Sequence, residues 1–125
     1  MSTSETITRT DLANILNEVL PSTAVDYIVE QGTNYRKWNS GLAECWGTGT
    51  IGSNSACSVN LPITLASTSD MVVTASCEYN ASLTYIAPTI SVQKYTDHLN
   101  LYARVSTSTV PAGYTVNWSV KGRWK

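Results

Sequence analysis

Tyr35-Arg36-Lys37-Trp38-Asn39-Ser40-Gly41-Leu42-Ala43-Glu44-Cys45-Trp46-Gly47 decides how this chain folds. Two runs carrying aromatic residues flank Asn39-Ser40-Gly41. A three-residue loop with Gly in its last place supplies the left-handed backbone that a tight β-hairpin requires. Trp38 and Trp46 then fall on paired strands. Each brings roughly 150–250 Å² of surface to bury, so the two are expected to seed a core.

Downstream of the hairpin the chain has a period of two. Ser58 to Leu65 sets Val59, Leu61, Ile63 and Leu65 on one face, and Pro62 marks an edge or a bulge because it cannot donate to a ladder. Met71, Val73, Ala75, Cys77 and Tyr79 alternate with Val72, Thr74, Ser76 and Glu78. A further run from Thr89 to Tyr95 follows Pro88. Leu99, Leu101, Ala103 and Val105 are expected to face inward, against Asn100, Tyr102 and Arg104 outward. Tyr114, Val116, Trp118 and Val120 alternate with Thr115, Asn117, Ser119 and Lys121. With the two arms of the hairpin this makes seven short strands separated by Ser, Thr, Pro and Gly turns, the pattern of an antiparallel sandwich or barrel over residues 35–125.

Upstream, residues 1–34 differ in charge. Glu5, Asp11, Glu18, Asp26 and Glu30 face only Arg9 there, whereas bases outnumber acids after residue 34, which places a boundary near Gly32-Thr33-Asn34 and makes the first segment an arm. Leu12, Ile15, Leu16 and Val19 recur at helical spacing, with Thr10 in N-cap position and Pro21 as a stop. A helix this short does not stand alone in water. Its stripe needs its own domain or copies of itself, and Leu12, Ile15 and Val19 fit a coiled-coil register, so the stripe is a candidate trimer contact. Val25, Tyr27 and Val29 alternate with Asp26, Ile28 and Glu30 as a short strand or an extended linker.

Composition narrows the function. A net charge of −1 and a pI of about 5.7 give no basic footprint for nucleic acid or an anionic membrane. Charged residues make up 14% of the chain, below the usual quarter, and Phe is absent, which suits β-structure with hydroxylated faces. Cys45, Cys57 and Cys77 form no C-x-x-C pair and leave one over, so reduced, shielded thiols are expected rather than a zinc site or a disulfide framework. The N-terminus lacks the basic start and apolar run of a secretory signal, and no stretch approaches the ~20 apolar residues of a membrane span. The protein is expected to be made and kept in a cytosol until something releases it.

No catalytic signature stands out. His98, the only histidine, lies beside Asp97 and reads as part of a polar turn, with no nucleophile elbow or cysteine motif to serve it. Asp70, Glu78 and Asp97 match neither a calcium loop nor a zinc cluster. No enzyme, metal or cofactor is expected.

The opening stretch just quoted and the closing Trp118-Ser119-Val120-Lys121-Gly122-Arg123-Trp124-Lys125 resemble the two ends of a small domain at the C-termini of bacteriophage and prophage tail-fibre proteins. The fold of that domain is similar to that of H-type lectins. The resemblance spans about residues 33–125. It implies a mainly β chain, an antiparallel sandwich of six to seven strands here preceded by the short helix, that assembles as a homotrimer at the tip of a host-recognition fibre. The implied ligand is a bacterial surface polysaccharide, and the implied setting is a virion assembled in the bacterial cytoplasm, with the arm joining other virion proteins. A tail fibre normally carries a long shaft before this domain, whereas 34 residues precede it here, so a fibre tip, a baseplate part and a head decoration all remain open. So do two roles, a glycan-binding module and a purely structural virion component.

If the strands run up and down from residue 35, with the arm entering at the opposite end, the loops Asn39-Ser40-Gly41, Ser67-Thr68-Ser69-Asp70 and Thr96-Asp97-His98 gather at one end with Arg123, Trp124 and Lys125. Asn39, Ser40, Asp70, Tyr95, Asp97, His98, Arg123 and Trp124 are then the candidate ligand set, since sugars are bound by stacking on one ring face and hydrogen-bonding the hydroxyls. The competing reading has Trp124 closing the core over solvated loops. An extra strand at Leu83 to Ile86 would send Asp97 and His98 to the other end.

Overall fold

The computed structural model describes residues 25–83, 88–105 and 110–125, so the expected helix of Leu12, Ile15, Leu16 and Val19 lies outside the described residues. Eight strands follow one another: β1 (Ile28–Gly32), β2 (Tyr35–Trp38), β3 (Leu42–Thr50), β4 (Ala56–Asn60), β5 (Val72–Cys77), β6 (Thr89–Lys94), β7 (His98–Arg104) and β8 (Thr115–Arg123). They form a five-stranded sheet in the order β1-β2-β3-β8-β5 and a three-stranded sheet in the order β4-β7-β6, antiparallel throughout. The eighth strand, beyond the six to seven expected, is β1. It pairs with β2 from Ile28 opposite Trp38 to Gly32 opposite Tyr35, with a bulge between Ile28 and Glu30.

The central ladder is β3 on β8, from Leu42 opposite Arg123 to Thr50 opposite Thr115. Its period-two pattern turns Val116, Trp118 and Val120 inward to meet Leu99, Leu101 and Ala103 of β7, all buried. Ile51, Val110 and Tyr114 close the core beyond the far end of β3. Each large apolar side chain so buried contributes about 1.5–3 kcal/mol.

Two expectations need correction. Trp38 and Trp46 do not seed the core; both are half-buried and outside it. Ala43 and Cys45 take the inward positions of β3, which leaves Leu42, Glu44 and Trp46 on the outer face, where the Arg36 guanidinium lies 5.1 Å from the Trp46 ring. Trp118 is the tryptophan of the core, and it uses the room left by Gly47 opposite it: a Cβ at 47 would lie 2.6 Å from Trp118 Cζ2. The strand expected from Ser58 to Leu65 ends at Asn60. Beyond it Leu61, Ile63 and Leu65 stay buried in alternation, held by Leu61 N donating to Asp97 O (2.9 Å) and Leu65 N to Thr96 O (2.8 Å) around the donor-less Pro62.

The sheets differ in width. β4 meets β3 and β6 meets β5, so β1 and β2 extend past the smaller sheet as a ledge, and all five residues of β1 are exposed. One end of the sandwich collects several segments through backbone bonds. Trp124 N donates to Gly41 O (2.9 Å), Ala66 N to Arg123 O (2.7 Å) and Leu65 N to Thr96 O (2.8 Å). The chain enters at this same end, because Asn39 N donates to Tyr27 O at 2.8 Å. Entry from the opposite end was expected; the added strand β1 reverses the direction of approach.

Candidate functional site

The loop end is built around Gly41. Its φ of +102° suits a residue without Cβ, and a side chain there would run into Arg123 Nη2. Arg123 Nη2 instead donates to Ser40 O at 2.8 Å. Ser40 also donates twice to Asp26, through its hydroxyl (2.5 Å) and its backbone N–H (3.0 Å). The hydroxyl bond is the main reason that the Asp26 carboxyl lies below its ordinary value. Trp124 is a strut: its indole N–H donates to Trp38 O at 2.9 Å, it packs against the core, and Lys37 Nζ and Lys125 Nζ lie 5.3 and 4.9 Å from its ring centroid. Asn39 stands exposed at the hairpin tip.

Beside this frame, the outer face of the large sheet carries a groove of about 430 Å³. Trp38, Leu42 and Val72 give it apolar walls, and Glu44, Asp70, Lys121 and Arg123 give it two charges of each sign. The pairing explains the convergence, since Leu42 lies opposite Arg123, and Lys121 lies opposite both Glu44 and Val72. Leu42 and Val72, on either side of β8, are 49% and 68% exposed, so the groove has two uncovered apolar walls.

A second cluster occupies the β6–β7 turn. The Tyr95 and His98 rings stack with centroids 4.2 Å apart and planes 8° from parallel. Asp97 Oδ1 lies 2.7 Å from His98 Nδ1, and that hydrogen bond holds the Asp97 carboxyl low. Lys94 Nζ, donating to Met71 O at 2.9 Å, ties this turn to the loop that carries Asp70.

The eight candidate residues thus share one end of the molecule but split by role. Asp70 and Arg123 line the groove; Tyr95, Asp97 and His98 form the turn cluster; Ser40 and Trp124 brace the frame; Asn39 stands exposed at the hairpin tip and belongs to none of the three. Trp38, Leu42, Val72 and Lys121 were not among the candidates. The available signal was strand parity, which puts Leu42 with Glu44 on one side and Val72 with Thr74. Asp70 and Glu78 flank opposite ends of β5, and among the described residues no group of three His, Cys, Asp or Glu side chains could hold a metal ion. Burial pushes the Cys45 thiol up to about 11, with Glu44 adding to it. Cys57 and Cys77 are raised by burial too, and Cys57 contributes at Cys77.

No protein-family model and no curated protein matches the chain in sequence. Solved structures do match in fold. Over 94% of its length the chain superposes on an N-truncated R2-type pyocin tail fibre with a TM-score of 0.57 at 12% identity, spanning 44% of that chain. It also superposes on a C-terminal fragment of the P. aeruginosa R2 pyocin fibre with a TM-score of 0.56 at 13% identity, spanning 30% of that chain. The two-sheet architecture described above is therefore a tail-fibre-like fold, and the chain corresponds to less than half of the fibre chains that share it.

Proposed function

We propose that this chain is the host-recognition module of a phage-tail-like particle, acting as a homotrimer that binds a bacterial surface polysaccharide without catalysis or cofactor. The single observation that carries the reading is the two-sheet fold shared with R2 pyocin tail fibres over 94% of the chain. In this proposal the chain is an H-type-lectin-like sandwich on a virion assembled in the bacterial cytoplasm, and its N-terminal segment joins other virion proteins.

The groove supports the glycan part of the reading. Trp38, Leu42 and Val72 suit the apolar face of a sugar ring, and Asp70 and Arg123 at the rim suit its hydroxyls. The trimer draws support from Val25, Tyr27, Ile28 and Val29, which are 42–56% exposed at the chain entry and gain by being covered. The same exposed segment favours a second reading, a structural attachment protein with no glycan ligand.

Labelled full-length chain incubated with a panel of bacterial cells, and competed with polysaccharide stripped from those cells, separates the two. Retention that free polysaccharide abolishes is expected, with Asp70→Ala weakening it about tenfold or more, since a hydrogen bond to a charged group contributes about 1.5–3 kcal/mol. Capture by virion proteins with no polysaccharide binding would establish the structural reading instead.

A further inference from the structure

The outer face of the large sheet continues beyond the groove. A second depression of about 370 Å³ lies next to it, with Arg36, Glu44, Trp46, Ser119 and Lys121 in its lining, and the two share Glu44 and Lys121. The register accounts for this continuity. Arg36 of β2 stands opposite Glu44 of β3, Glu44 opposite Lys121 of β8, and Lys121 opposite Val72 of β5, so one row of outward side chains crosses four strands. Side chains directly opposite on one face are neighbours at about 5 Å. The two depressions therefore form a single trough, with Trp38 in one part, Trp46 in the other, and Glu44 and Lys121 where they meet.

Lys121 has no partner at that junction. Glu44, its neighbour in the row, is drawn to the other side, where Arg36 Nη1 lies 2.9 Å from Glu44 Oε1. Among the described residues no carboxylate pairs with Lys121 Nζ, and its ammonium makes no hydrogen bond. Arg123, the next outward residue of β8, is engaged through Nη2 by Ser40 O. Asp70 also lacks an ion pair, but it belongs to the loop end, where its carbonyl oxygen would lie 3.7 Å from a Cβ added at Gly122. The trough thus sets three cations, Arg36, Lys121 and Arg123, against two carboxylates, although the whole chain carries −1. Its chemistry fits a ring that bears an acid group: Leu42 and Val72 take the apolar face, Lys121 the charge, and Asp70 the hydroxyls at the loop end.

We propose that the trough binds an acidic saccharide of two or more units, with a sugar carboxylate seated on Lys121 where the two depressions meet. The saccharide class rests on the host-recognition reading; the charge of the ligand rests on the unpaired Lys121. The test titrates the full chain, labelled with ¹⁵N at tryptophan, with trimers of galacturonate, glucuronate and mannuronate, each beside its methyl ester, which keeps the rings and removes the charge. A saturable shift of the Trp38 and Trp46 indole resonances is expected with at least one acid trimer, while Trp118 in the core stays unmoved. The ester should bind about threefold more weakly at low salt, as the loss of an exposed ion pair allows, and the preference should vanish near about 0.5 M salt. Lys121→Gln, with its Trp118 resonance reporting an intact fold, should erase the preference, whereas Arg104→Gln, which removes the same charge from the small sheet, should keep it. No shift with any acid trimer, an ester bound as well as its acid, or a preference that survives Lys121→Gln would overturn the proposal. The host-recognition reading fails separately. Cell retention that free polysaccharide abolishes but Lys121→Gln leaves unmoved overturns the acidic ligand alone, and retention that no polysaccharide competes for overturns the saccharide class itself.

Discussion

Ser55 holds a backbone conformation that glycine would adopt more easily, with φ at +62°, and it is 1% exposed. Its side chain accounts for that. Ser55 Oγ accepts from Val110 N at 2.7 Å and donates to Val110 O at 3.3 Å, while Ser55 O accepts from Ala103 N at 2.8 Å. One hydroxyl therefore fixes the β3–β4 connection to the segment entering β8. Ser55→Ala should cost about 1–3 kcal/mol in denaturant unfolding, because it strands two buried backbone groups; a loss below about 0.5 kcal/mol would assign the anchoring elsewhere. Nothing in the sequence near Ser55 announces this role, since its partner lies 55 residues away. Asp70 and Arg123 were legible as polar residues at turns and chain ends, whereas the close packing of the Trp118 ring over Gly47 shows only once β3 and β8 are paired.

At the level of elements, β1 depends on the clamp at its start. Asp26 accepts from Ser40 Oγ, Ser40 N and Tyr27 N, and its carboxyl lies below the ordinary 3.8 chiefly through the Ser40 hydroxyl. A depressed carboxyl stabilises the fold at pH values above 3.8 and loses that contribution as pH falls through the lower folded-state value. Amide exchange at Asn39, whose N–H donates to Tyr27 O, should therefore rise, relative to β7 and β8, as pH drops below 3.8 and in Asp26→Asn at neutral pH. Equal changes in all strands would show that the clamp acts on the whole fold. β5, β7 and β8 were readable because one face of each is buried, or in β5 half-buried, which writes a period of two into the sequence. β1 has no buried face, so the alternation of Val25, Tyr27 and Val29 with Asp26, Ile28 and Glu30 left a short strand and an extended linker both open, while the outer-face tryptophans misled because alternation does not say which side is inside.

For the whole molecule, the proposed trimer predicts a light-scattering mass three times that of the 13.6 kDa chain, and a stable monomer at micromolar concentration would remove it. That loops 39–41, 67–70 and 96–98 share an end was expected on an up-and-down order from residue 35, with a further strand at Leu83 to Ile86 left open as the way to separate them; the direction of entry was not legible, because a single extra strand inverts it. This direction has a mechanical side. β1 starts beside the hairpin tip and runs down along β2, so tension on the segment ahead of residue 25, directed away from that end, pulls along the strand axis. The β1–β2 hydrogen bonds are then loaded together in shear instead of being peeled one rung at a time. Single-molecule pulling at residue 25 against a tether at the opposite end should give one abrupt rupture, and a gradual low-force extension would mean that the ledge swings out before it carries tension.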